Sequence, residues 1–298
     1  LARKRRVWFL QTFDPEMPSI ATLDGDRVRQ ILVNLLGNAI KFSERPAGVS
    51  SQALVTLHVS CRDEMIHLSV NDNGVGMDEE TMAHAFERYM QSNAVSARRF
   101  GGTGLGLAIV HQLVKHMAGS IAVNSVLGEG TAIEVRLPLV APKGRIAHPD
   151  LGGWTVVSYF STAFKREITD SYLRPTGARL LHAEDEEQLH QIATAQGPDT
   201  LYLIAPETRP LIVDETVLHR FEAAFPQARC VTFSAKPSDR FGLLTPTRLR
   251  LQWSPMKLTE FYEALALIAR QEVAQPKVSS AETAVAANAV IEDAPSIL

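Results

Sequence analysis

Four short stretches of this chain carry residue types that could do chemistry at close range. In Asn34-Leu-Leu-Gly-Asn38-Ala-Ile-Lys41 the two asparagines are four apart, so on a helix both amides leave one face. Amide oxygens on one face can hold a hard divalent cation and leave room for its waters and for phosphates. Lys41, one turn on, can reach a phosphate. Taken alone, two asparagines on a helix also read as surface polar residues. In Asp72-Asn-Gly74-Val-Gly76-Met the glycines let the backbone pass close to a flat ligand. Asp72 can accept a hydrogen bond from an exocyclic amine; in isolation the same run is an ordinary Asn-Gly turn. The stretch Phe100-Gly-Gly102-Thr103-Gly104-Leu105-Gly106-Leu107 opens a helix. Glycines ahead of unpaired helix-start amides make an anion site suited to a phosphate chain. No βαβ unit with an acid on its next strand follows to make this a dinucleotide fold. The fourth stretch, Gly128-Glu-Gly130-Thr131, is by itself a hairpin turn.

The elements that must position these stretches follow from hydrophobic spacing. Val28, Ile31, Leu32, Leu35, Leu36 and Ile40 fall at helical intervals and predict a helix over 26–42. A second helix is predicted over 103–117. Strands are predicted over 7–13, 53–61, 65–71, 120–125 and 131–137. Together they imply an α/β sandwich, an antiparallel or mixed sheet with helices on one face. Residues 141–152 are rich in Pro and Gly and read as a linker. Beyond it, strands over 155–160, 178–182, 200–205, 229–234 and 249–252 alternate with helices over 164–174, 186–195, 214–224 and 257–270. That alternation implies a parallel sheet covered on both faces and a flavodoxin-like doubly wound domain over 153–270. Residues 271–298 read as a flexible linker towards a further domain.

Composition narrows the class. At 298 residues, 45% of them hydrophobic, the chain can build two cores without staples. Thirty basic against 33 acidic residues give a net charge of -3, which argues against DNA as a partner. Two cysteines far apart, Cys61 and Cys230, exclude a disulfide framework or a cysteine zinc site. No apolar run approaches a membrane span and no signal peptide opens the chain, so a cytoplasmic location is expected. The absence of a starting Met leads us to expect a piece of a longer protein.

Taken in order, the asparagine helix, Asp-x-Gly-x-Gly, Phe86-Glu-Arg-Tyr89, Gly-Gly-Thr-Gly-Leu-Gly and Gly-Glu-Gly-Thr resemble the N, G1, F, G2 and G3 boxes of sensor histidine kinases. The resemblance covers about residues 1–140, the catalytic ATP-binding domain, whose fold is shared with gyrase and Hsp90. It implies ATP and Mg²⁺ as ligands, with Asn38 and Asn34 towards the metal and Lys41 on phosphate. It implies that Asp72 reads the adenine amine and that Gly74 and Gly76 line the base pocket. Gly102, Thr103, Gly104, Leu105, Gly106 and Thr131 would surround the nucleotide. Phe86 would anchor a lid over about 87–102, whose Arg98 and Arg99 could meet the γ-phosphate or remain solvated. In the gyrase and Hsp90 relatives a glutamate that activates water falls at Asn34. An amide cannot accept that proton, so phosphoryl transfer to a protein nucleophile is expected over hydrolysis.

None of the nine histidines lies in a Ser-His-Glu-x-Arg-Thr-Pro-like context. The resemblance therefore places the phospho-accepting histidine on an upstream dimerisation hairpin outside this chain, in a homodimeric parent that could be membrane-anchored. The second domain resembles a response-regulator receiver. Its first strand ends in Tyr159-Phe160 without an acid pair, Ile204 stands at the phosphoacceptor position, and Ser254 stands where a Lys belongs. Ser234 could keep the hydroxyl; Asp185 or Asp199 could serve if the alignment were shifted. The reading is a pseudo-receiver, a regulatory or docking module in a hybrid kinase. It could bind a small signal such as a cyclic dinucleotide through Arg174, Arg209, Arg240 or Arg248. A downstream receiver or response regulator would be the phosphoryl partner. The competing class is a nucleotide-binding scaffold that does not transfer phosphate.

Overall fold

Residues 7–43, 53–87, 105–205, 207–209, 212–234, 239–252 and 256–271 are described in this computed structural model. Two sheets follow each other along the chain. The first contains β1 (Trp8–Phe13), β3 (Leu54–Arg62), β4 (Met65–Asp72), β5 (Ser120–Val126) and β6 (Gly130–Pro138), in the order β1-β3-β4-β6-β5. β1 runs parallel to β3 and every other neighbour is antiparallel, so the sheet is mixed. Helices α1 (Gly25–Phe42) and α3 (Gly106–His116) share one face of it, and a short helix α2 (Glu79–Ala83) lies between them in sequence.

Alternation explains why only one face is covered. Val55, Leu57 and Val59, Leu68 and Val70, and Ile133, Val135 and Leu137 point one way and meet Ile31, Leu35 and Ala39 of α1 and Val110 and Val114 of α3. His58, His67, Ser69, Glu134 and Arg136 are out of phase with them and carry polar contacts of the other face. There the Arg136 guanidinium and then His67 hold Glu134 below the usual carboxylate range. Asp24 caps α1, accepting from the Arg27 amide at 3.1 Å.

A small antiparallel ribbon, β2 (Ile20–Thr22) with β7 (Val140–Lys143), closes this half. Its second strand takes in residues 141–143, the first three of the segment read as a linker, and pairs them back to residues 20–22. Exposed three- and four-residue strands carry no burial alternation, so the pattern offered no signal.

The second sheet contains β8 (Thr155–Phe160), β9 (Arg179–His182), β10 (Thr200–Ala205), β13 (Arg229–Ser234), β14 (Gly242–Thr245) and β15 (Arg248–Gln252), in the order β14-β15-β13-β10-β8-β9. β11 (Glu207–Arg209) and β12 (Ile212–Val213) pair separately. Five of the six strands are parallel, as the alternation implied. The sixth, β14, is antiparallel to β15 and corrects the expectation of a purely parallel sheet. Helix α4 (Ala163–Leu173) and helix α7 (Leu258–Arg270) enclose one core with Leu201, Leu203, Val231 and Leu249. Helices α5 (Glu186–Ala195) and α6 (Glu215–Ala224) enclose the other with Val157, Tyr202, Ile204 and Cys230. No helix among the described residues is long and apolar enough to cross a membrane.

Candidate functional site

The site is built along α1, which meets the start of α3 at its asparagines and the turn after β4 at its end. Asn34 Nδ2 donates back to the Gln30 carbonyl at 2.9 Å, which turns its Oδ1 away from that carbonyl. A β-carbon on Gly106 would lie 3.3 Å from Asn38 Nδ2 and 3.6 Å from Asn34 Oδ1. The two asparagines and the first residue of α3 therefore form one cradle, open only because residue 106 has no side chain. Leu105 precedes α3 without a side-chain cap. The helix thus starts with amide hydrogens that have no intrahelical acceptor, and the positive end of its dipole lies beside the cradle. Two neutral oxygen donors beside such a helix start suit a divalent cation carried on phosphates.

Asp72 closes β4 opposite Thr131 of β6. Its Oδ1 accepts the Gly74 amide at 2.8 Å, which fixes the carboxylate at the turn. Val75 donates to the Phe42 carbonyl at 3.3 Å, tying this turn to the end of α1. Gly76 lies against the Val126 carbonyl, and Gly130, at φ +136°, lies against the Asp72 carbonyl. A side chain at 130 would meet both that carbonyl and a disallowed backbone region.

Two contributors were not singled out in the sequence. Ser125 Oγ accepts the Met77 amide at 2.8 Å, donates to the Gly130 carbonyl at 2.8 Å and lies 2.9 Å from Thr131 Oγ1. One hydroxyl thus joins the Asp72 turn, the 126–130 hairpin and β6. His111 of α3 stacks on Phe86, with ring centroids 5.3 Å apart at 29°. His111 thus fastens the Phe86 segment to the site helix. Ser125 faces Thr131 across a hairpin, a signal readable in principle from the turn length. Nothing local marks His111.

The structure brings together Asn34, Asn38, Leu105 and Gly106, and separately Asp72, Gly74, Gly76 and Thr131. Lys41 places its Nζ 4.6 Å from the centroid of the Phe42 ring. Arg98, Arg99, Gly102, Thr103 and Gly104 lie outside the described residues, as does nearly all of the expected lid.

In the second half, Ile204 is fully buried in β10. Asp185 is spent on the cap of α5, accepting from the Gln188 amide, and Asp199 precedes β10 at its amino end. Ser234 bonds Asp239, and Ser254 lies outside the described residues. Arg174 ends α4, Arg248 begins β15 and pairs with Glu222 of α6, and Arg240 precedes β14.

Residues 23–141 match the family described as histidine kinase-, DNA gyrase B-, and HSP90-like ATPase. The first sheet with α1 and α3 has that family's α/β sandwich fold. Sensor histidine kinase AruS of Pseudomonas aeruginosa is 38% identical over 161 residues, 53% of this chain and 16% of that protein. Sensor histidine kinase RcsC of Salmonella typhimurium is 37% identical over 128 residues, 42% of this chain and 13% of that protein. The matched segments thus span less than a fifth of these relatives. The crystal structure of full-length ShkA in complex with AMPPNP aligns with a TM-score of 0.58 at 22% identity, covering 92% of this chain and 53% of that one. That likeness is one of fold and extends through both sheets.

Proposed function

We propose that the chain carries the ATP-binding catalytic part of a hybrid sensor histidine kinase, which donates the γ-phosphoryl group of ATP to a histidine on a dimerisation hairpin. The observation that carries this is the meeting of the Asn34 and Asn38 amides with Gly106 at the start of α3, on the same layer of the fold that holds Asp72 at the end of β4. Asp72 accepts from the adenine amine, and the Gly74 and Gly76 turn gives the base its floor. The α3 amides and the glycines before them hold the phosphates. Asn34 and Asn38 hold Mg²⁺, which supplies charge neutralisation on the triphosphate. Lys41, Arg98 and Arg99 add positive charge along it. Catalysis here is positioning and electrostatics, and the nucleophile comes from elsewhere. Asn34 offers no proton acceptor, which supports transfer over hydrolysis.

For residues 153–270 the reading is a receiver-like doubly wound domain that cannot be phosphorylated and acts as a regulatory or docking module. It is supported by the parallel order β9-β8-β10-β13-β15 and by the buried aliphatic side chain of Ile204 in place of a carboxylate. The downstream partner would be a receiver or response regulator.

Calorimetric titration with ATP and Mg²⁺ tests the pocket. Binding is expected in the parent chain, with Asp72→Ala at least about tenfold weaker, because a hydrogen bond to a charged group contributes about 1.5–3 kcal/mol. Supplying the hairpin in trans with labelled ATP tests transfer. Tight binding with no label on the hairpin histidine would favour the scaffold instead.

A further inference from the structure

The segment between the two sheets is bonded at nearly every step. Leu139 donates to the Glu64 carbonyl, Val140–Lys143 pairs with β2, and Ser19 Oγ bonds the Lys143 carbonyl at 3.0 Å. Arg145 pairs with Glu16, and the Ile146 amide donates to the Met17 carbonyl at 3.1 Å. The Ile146 side chain packs into the α4–α7 core of the second half. His148 sits edge-on to Tyr262 with centroids 6.1 Å apart, and Leu151, 1% exposed, belongs to that core.

The free edge of the first sheet enters the same place. Trp8 and Asp14 donate to the Ala53 and Val59 carbonyls of the β3 side, so the intervening odd-numbered amides of β1 face away from β3. The outermost, Phe13, donates to the Tyr172 phenol at 2.9 Å. Its ring packs against both the first core and the α4–α7 core. Gln11 Nε2 donates to the Met256 carbonyl at 3.1 Å, and Tyr262 donates to the Tyr172 carbonyl at 3.0 Å. Tyr172 is itself fully buried between these partners.

From this we infer that residues 139–151, with the Tyr172–Met256–Tyr262 seat for β1, form a splint that makes the second half a fixed lever on the edge strand of the ATP-binding sheet. Domains joined by a flexible linker and a small polar interface move and unfold separately. Here an aromatic residue of one sheet packs against the other's core, and the connecting segment has partners along most of its length. A change in the second half is therefore transmitted to β1. The inference is independent of what either half binds.

The test uses the full chain and Leu189→Ala, a cavity in the α5–α6 core on the far face of the second sheet. Hydrogen exchange read by mass spectrometry during heating follows peptides from β3–β6 and from β10–β13 separately. With the splint intact, Leu189→Ala is expected to lower the midpoint of both sets together, by about 5–15 °C. In the background Gln11→Ala, Ile146→Ala, Tyr172→Phe, the same cavity is expected to lower the β10–β13 set while the β3–β6 set moves less than half as far. Gln11→Ala and Tyr172→Phe remove splint hydrogen bonds, and Ile146→Ala trims a partly buried side chain at the margin of the α4–α7 core; if that background is poorly folded, Tyr172→Phe with Gln11→Ala serves in its place. The inference is overturned if Leu189→Ala leaves the β3–β6 set unmoved with the splint intact. It is equally overturned if that set moves as far with the splint broken.

Discussion

Gly106 and the two asparagines that face it make a site whose size is set by one missing methyl group. Gly106→Ala would place a carbon 3.3 Å from Asn38 Nδ2, tighter than side chains normally pack, and the amide must turn to make room. The expected result is about tenfold weaker Mg²⁺-nucleotide binding, equivalent to about 1.4 kcal/mol, with an unchanged melting temperature in the absence of ligand. Titration of the two proteins side by side checks it. A different residue-scale effect belongs to Asp170 of α4. Burial raises its carboxyl above the usual range, opposed by His182, Arg174 and Arg166, with Glu167 acting in the same direction as burial. Its Oδ2 is 3.3 Å from His182 Nε2, and Ser158 holds the other ring nitrogen at 2.7 Å. Because the folded value is raised, the neutral acid is favoured in the fold. The stability this gives is complete below the unfolded value near 3.8 and is lost as pH climbs through the folded one. Asp170→Asn should therefore melt higher than the parent at pH 7, with the gap closing below pH 4, as measured by melting curves across pH.

Helix α1 depends on its first turn as well as on its buried stripe. Asp24→Ala removes the acceptor for the Arg27 amide and should cost about 1 kcal/mol, seen as a fall of about 2–4 °C in melting temperature. The same helix shows what sequence spacing can reveal. Its apolar residues recur at helical intervals, and the strands 54–62, 65–72 and 130–138 alternate, because one face of each is buried. Elements defined by tertiary geometry left no such trace. The β2–β7 ribbon is exposed, and β14 is four residues standing where a helix would ordinarily lead from β13 to β15. The candidate site was legible to the same degree. Asn34, Asn38, Asp72 and the glycines carry local spacing that survives in sequence. His111 and Ser125 act by meeting residues of other segments, which no local pattern encodes.

Across the whole molecule, the Pro- and Gly-rich composition of residues 141–152 reads as a linker, while residues 141–146 bond to the first half and Ile146 and Leu151 pack in the second. Composition reports the intrinsic preferences of a segment, and those are overridden wherever both flanks offer partners. Limited trypsin digestion should find Lys143 and Arg145 poor sites in the folded chain, although both side chains are accessible. Cleavage requires several neighbouring residues to leave their partners first. Rapid nicking there under native conditions would show the connection to be loose.

The seat for Phe13 also bears on how the molecule can be divided. A cut near residue 140, where composition invites it, would strip β7 from β2 and bare an aromatic ring beside an outward-facing edge amide. Sheet edges of that kind recruit other strands. An excised ATP-binding half would thus acquire an adhesive rim that the parent keeps covered. Dimers of such a half would then be a product of the scissors, and a fragment that retains residues 139–146 and carries a charge in place of Phe13 should remain single.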